Sequence, residues 1–298
     1  MTSQPQERRF KTSGLEYAAQ CWGNTQQPLV VALHGWLDNA LSFVKLAPLL
    51  SNYRVIAIDL SGHGLSSWRS VDSTYHIWDD LPQLIDVIDA LESERYPSAC
   101  SQKIALMGHS RGASVATLLA CALGERCSSL TLIDGMLPAW GDDQNGAHQV
   151  RRFVEQRRKY IQRTDRYFDT IEEFAERRKQ FGFTNESGRL LAPRALEQTK
   201  SGWRLRSDPR LYGASAVYID KTQREKIYRQ LDTPVLGVIA RQGLLTRDGL
   251  AQQTLQEARQ CLSNYRSTTI EGSHHLHMEA DSSVLVAQRI EQFLVTLQ

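Results

Sequence analysis

A serine hydroxyl is a weak nucleophile until a neighbouring base takes its proton, and Ser110 stands in a setting where that can happen. It lies in Gly108-His109-Ser110-Arg111-Gly112, after an apolar run, Ile104 to Met107, that reads as a buried strand. Beyond it Ala113, Val115, Ala116, Leu118 and Leu119 recur at helical spacing. Strand, tight turn and helix are the context in which G-x-S-x-G holds a serine clear of the backbone at the carboxyl edge of a sheet. Glycine is required at 108 and 112 because side chains there would collide with the neighbouring strand and helix. The helix that follows aims its free N–H groups and positive dipole end at any oxyanion formed on Ser110.

Such a serine needs a base, an acid to orient the base, and an oxyanion hole. The segment Glu271-Gly272-Ser273-His274-His275-Leu276-His277-Met278-Glu279 follows the last predicted strand, so a histidine in it can reach across the sheet edge. The spacing of its three histidines matches no common metal-ligand pattern. No Cys or Asp cluster accompanies them, so no metal is expected. Asp134 ends the strand after the nucleophile turn, which puts a carboxylate at the same edge, and it lies between the serine and the histidines in the chain. Asp248, past the strand Pro234 to Ile239, is the rival acid. For the oxyanion hole the backbone N–H groups of Arg111 and Trp36 fit, with Gly35 letting the chain approach; such donors each contribute on the order of 3–4 kcal/mol.

The elements that must carry these groups alternate. Arg8 to Thr12 and Leu15 to Trp22 read as a hairpin, Leu29 to Leu33 and Tyr53 to Ile58 as buried strands. A helix holding Leu46, Leu49 and Leu50, with Ser42 as its N-cap, is expected between the latter two. Leu81 to Leu91 reads as an amphipathic helix, with Pro82 either in its first turn or kinking it. After the serine unit comes Leu130 to Ile133. From about Pro138 to Gln230 no strand is convincing, the segments are helical and dense in charge, and Gly202 to Arg210 reads as a loop. The rhythm resumes with Pro234 to Ile239, a helix near Arg247 to Ala258, Tyr265 to Ile270, and a last helix from Ser283 to Val295. A mostly parallel sheet covered on both faces, with one helical insertion, follows from this order.

Composition narrows the function. Lys and Arg number 35 against 33 Asp and Glu, so no strong field recruits nucleic acid or an anionic membrane. No apolar run approaches the roughly 20 residues of a membrane span, and the first residues lack the apolar core of a secretory signal. Cys21, Cys100, Cys121, Cys127 and Cys261 are scattered and odd in number, which reads as free thiols of a cytoplasmic protein.

Taken together, His34-Gly35-Trp36, Asp59-x-x-Gly62-x-Gly64-x-Ser66, Gly108-His109-Ser110-Arg111-Gly112 and Gly272-x-His274-x-x-His277-x-Glu279, in this order, resemble the α/β-hydrolase superfamily across the whole core. The resemblance implies an eight-stranded, mostly parallel sheet with helices on both faces, a core of residues 1–136 and 231–298, and a helical cap at 137–230. It assigns the base to His274, with His275 and His277 as neighbours. Most relatives carry the acid just after the seventh strand, where this chain reads Ala240-Arg241-Gln242-Gly243-Leu244-Leu245 and has no carboxylate; Asp134 matches the position after the sixth strand that some capped relatives use. Pro234 to Leu245, with Leu132-Ile133-Asp134-Gly135, is most similar to the serine-hydrolase-like branch.

The expected activity is cleavage of a small, largely apolar carboxylic ester by Ser110, His274 and Asp134, with no cofactor and with a monomer or homodimer as the working form. Trp36, Trp140 and Trp203, with Phe153 and Phe181, are the expected wall of the substrate pocket. C–C bond hydrolysis or acyl transfer by the same serine, or a silent binding protein on the same fold, are the alternatives.

Overall fold

The computed structural model describes residues 4–95, 103–138, 146–247 and 249–297. The chain opens with the hairpin β1 (Gln6–Lys11) and β2 (Glu16–Trp22), then runs through β3 (Leu29–Leu33), β4 (Arg54–Ile58), β5 (Ile104–His109) and β6 (Cys127–Ile133). It leaves this sheet to form β7 (Tyr167–Phe168), β8 (Leu196–Thr199) and β9 (Gly202–Leu205), then returns as β10 (Val235–Gln242) and β11 (Tyr265–Ser273). The eight-stranded sheet has the order β1-β2-β4-β3-β5-β6-β10-β11. β2 is antiparallel to β1 and β4, and every other neighbouring pair is parallel.

β3, β4 and β5 are buried at every residue, because a parallel sheet is covered on both faces. On one face α1 (Leu81–Arg95) and α2 (Arg111–Leu123) close over Leu33, Ile58, Leu106 and Leu132. On the other, Phe43, Leu46 and the last helix pack against Val30, Ala57 and Ile133.

Between β6 and β10 lie α3 (Gly146–Ile161), α4 (Ile171–Arg178), α5 (Asn185–Ala195) and α6 (Lys221–Arg229), followed after β10 by α7 (Gly249–Cys261) and α8 (Ala280–Val295). The expectation of a strand-free insertion is corrected here: β7, β9 and β8 pair antiparallel, and Gly202–Leu205 is a strand rather than a loop. Segments of two to four residues are too short to show a period, so only their pairing defines them. The expected helix around Leu46 is instead two short 3₁₀ turns, Ala40–Phe43 and Ala47–Leu49. Asn39 caps the first, Ser42 is buried inside it, and Leu49 is exposed. Pro48 in the second turn has no backbone N–H to extend an α-helix.

Candidate active site

The carboxyl ends of β3, β5 and β6 each turn sharply. Leu37, Ser110 and Asp134 have φ of 60°, 53° and 41°, and they are the non-glycine residues with positive φ among those described. Each such backbone costs on the order of 1–3 kcal/mol, which the surrounding structure must hold in place. At Ser110 it does so by contact. A Cβ on Gly108 would overlap the backbone of Gly112 and Ala113, one on Gly112 the carbonyls of Leu33 and His34, and one on Gly135 the backbone of Ser110 itself. The Ser110 N–H donates to the Ile133 carbonyl at 3.1 Å, which locks the turn to β6.

His274, at the end of β11, comes to this turn. Its Nε2 lies 2.9 Å from Ser110 Oγ and its Nδ1 lies 2.6 Å from Asp134 Oδ2. Asp134 is fully buried, and its carboxylate accepts the Ala240 N–H at 3.1 Å and the Leu244 N–H at 2.6 Å. The segment after β10 that lacks an acid therefore supplies donors to one. Gly243 belongs to the same arrangement, since a Cβ there would overlap the Asp134 carboxylate. Burial holds His274 below the ordinary imidazole range, while its bond to Asp134 pulls the other way. A neutral imidazole so placed can take the hydroxyl proton, and the carboxylate beyond it can stabilise the charge that results.

Two further histidines shape the loop after β3. His34 Nε2 accepts the Leu60 N–H at 2.9 Å and His63 Nε2 accepts the Leu37 N–H at 3.2 Å. Their Nδ1 atoms face the Gly35 and Ser61 carbonyls at 2.8 and 3.0 Å, so both rings are Nδ1-protonated and neutral, in keeping with burial lowering their pKa. Trp36, in that loop, donates Nε1–H to the Leu211 carbonyl at 2.9 Å and meets Phe181 and Tyr212 edge-on.

Ser110, Arg111 and Trp36 line one cavity of about 590 Å³. Ile77, Met136, Leu211, Leu244, Leu245 and Leu250 make much of its wall. The Arg111 side chain is tied to the Tyr75 and His76 carbonyls at 2.9 and 3.2 Å. Trp203 does not line this cavity: on β9 it pairs with Gln198 and Phe168 and packs on the insertion's own apolar cluster. Phe153 and Phe181 are also outside the lining. Trp140 and Asp248 lie outside the described residues.

A grouping the sequence did not disclose sits behind the base. The rings of His274, His275 and His277 surround that of His109, tilted against it, with centroids 4.2–5.1 Å away. The expectation that no Asp accompanies these histidines is corrected by Asp38, whose carboxylate lies 3.6 Å from His109 Nδ1. Asp38, His109 and His275 each bring one donor atom within 4.8 Å of the others. Arg178 of α4 already pairs with Asp38 at 2.8 Å, so that carboxylate's charge is answered by a guanidinium. No spacing in the chain links residues 38, 109, 178 and 275.

The family model for the alpha/beta hydrolase fold matches residues 28–281, and the chain belongs to that family. It is 29% identical to a serine hydrolase-like protein of Dictyostelium discoideum, over 95% of this chain and 79% of that one. It is also 29% identical to serine hydrolase-like protein 2 of Homo sapiens, over 93% and 90%. The crystal structure of a hypothetical protein from Pseudomonas aeruginosa PAO1 is 31% identical and superposes with a TM-score of 0.87 over 97% of this chain and 99% of that one. A thioesterase domain from the curacin biosynthetic pathway, 23% identical, shares the fold with a TM-score of 0.80 over 99% and 100% of the two chains. Within the family, the chain is similar to proteins of the serine-hydrolase-like branch. Among the described residues no helix is long and apolar enough to cross a membrane.

Proposed function

We propose that the protein cleaves carboxylic esters of small, largely apolar substrates through an acyl-enzyme on Ser110. The observation that carries this is the continuous line Asp134–His274–Ser110, at 2.6 and 2.9 Å, opening on a mostly apolar cavity. In this reading His274 takes the Ser110 proton as Oγ attacks the acyl carbon, and the carbonyl π electrons move onto oxygen. The N–H groups of Trp36 and Arg111 hold that oxyanion. His274 then gives its proton to the departing alkoxide, the C–O bond breaks, and the acyl group stays on Ser110. Water, deprotonated by His274, attacks the acyl-enzyme and releases the acid, and Ser110 regains its proton.

The segment 137–230 acts in this proposal as a cap. Leu211 to Ser215, Arg152 and Gln156 lie across the cavity from the sheet edge, so this segment selects what reaches Ser110. A cavity of this size suits one small ligand. The test is stoichiometric labelling by a fluorophosphonate probe together with turnover of a short-chain nitrophenyl ester. Both are expected in the native chain, and both are lost in Ser110→Ala, turnover by about 10⁴-fold or more. A folded chain that neither labels nor hydrolyses any ester across an acyl-length series would mark a silent binding protein instead.

A further inference from the structure

We propose that His109 is a positioning residue for the base: its Nε2–H pins the main chain of His274. This rests on His274 being the base. The ring of His109 is fully buried, one residue before the nucleophile, and lies against that of His274 at 4.7 Å between centroids. Its Nε2 is 2.9 Å from the His274 carbonyl oxygen. A carbonyl only accepts, so Nε2 carries the hydrogen. The other edge of the ring faces the Asp38 carboxylate, 3.6 Å away, and Arg178 reaches Asp38 from α4 at 2.8 Å.

The need for such a clamp follows from where His274 sits. β11 pairs with β10 only as far as Ser273, and Gly272 just before it has φ of 143°, so the sheet ladder ends before the base begins. Asp134 holds the imidazole at Nδ1, and the contact with His109 gives the peptide that carries it a second hold. The neighbouring residue is gripped from the insertion as well, since His275 Nε2–H donates to the Phe181 carbonyl at 3.1 Å. Displacing a catalytic group by about 1 Å costs roughly 10²-fold in rate without a matching loss of substrate binding.

The experiment compares His109→Leu with His109→Gln, whose amide N–H reaches toward the same carbonyl. In His109→Leu, kcat is expected to fall about 10- to 100-fold with KM within about twofold of the native value, and fluorophosphonate labelling to slow in step. His109→Gln is expected to recover most of both. Equal impairment of the two variants at native melting temperature, or a His109→Leu variant within about threefold of native, would overturn the proposal. Where His109→Leu does not fold, His109→Gln against the shorter His109→Asn decides it, because only the longer amide spans the gap; equal rates in that pair would overturn it too. A native chain that does not label at all would strike at the base itself, whereas native labelling with an unchanged His109→Leu rate strikes only this inference.

Discussion

The sheet edge and the insertion are built in opposite ways. At the edge, β3, β5 and β6 end within contact of one another, and the glycines at 108, 112 and 135 leave no room for a Cβ. In the insertion, α3 buries none of its 16 residues fully, and Val150, Val154 and Ile161 face outward. Besides apolar packing around Met278 and Tyr228, polar contacts fasten the insertion: Arg178 to Asp38, Arg194 to Asp59, Tyr75 to Asp208, Arg157 to the Val71 and Ser73 carbonyls. Close packing allows one arrangement and suits atoms that must meet within a few tenths of an ångström. Polar fastening tolerates change in what it covers. In the proposed function, chemistry belongs to the first region and selection of substrate to the second.

The sharpest way to break this contrast is Asp134→Asn. An amide in place of the buried carboxylate favours the wrong tautomer of His274, and kcat/KM for a nitrophenyl ester is expected to fall about 10³- to 10⁴-fold with the melting temperature little changed. A loss under tenfold would move the acid elsewhere. Next, a matched pair of glycines tests packing directly. Gly112→Ala drives a methyl into the Leu33 and His34 carbonyls and is expected to cost about 3 kcal/mol or more in chemical denaturation.

Acid should find the same region. Burial lowers the pKa of His34, His63, His275 and His277, all outside the insertion, whose one histidine, His148, is exposed. The folded state keeps these rings neutral where the unfolded chain would protonate them. Their contribution is therefore present above the ordinary histidine value of about 6.5 and is lost as pH falls below it. Denaturant midpoints measured from pH 7 to pH 5 should drop steadily; a flat profile would contradict the buried neutral rings. By the same logic the acid limb of kcat/KM should lie below the ordinary histidine value, because burial keeps His274 neutral further into acid. The smallest effect belongs to the insertion: Gly146→Ala meets nothing within 4 Å and should stabilise the chain by about 0.4–1 kcal/mol.

Much of the site was legible because its parts carry local signals. Gly108 to Gly112 between an apolar strand and a helix marked the turn, and Asp134 announced itself as the end of a strand. The insertion's small sheet and the actual wall of the cavity were not legible. Trp203 looked like a pocket aromatic from composition alone, yet its pairing with Gln198 and Phe168 turns it into the insertion's own cluster. Asp38 and His109 gave no hint of each other, since nothing in their spacing implies contact.

By itself the sequence determined the strands of the eight-stranded sheet and which side chains stand at their carboxyl ends, because periodicity, glycine and strand length act over a few residues. Only the tertiary structure decided that the segment after β10 supplies N–H groups to Asp134 instead of an acid, that Arg178 pairs with Asp38 beside the His109 ring, and that His109 meets the His274 carbonyl. Those outcomes depend on where distant segments come to rest against one another, which no spacing along the chain encodes.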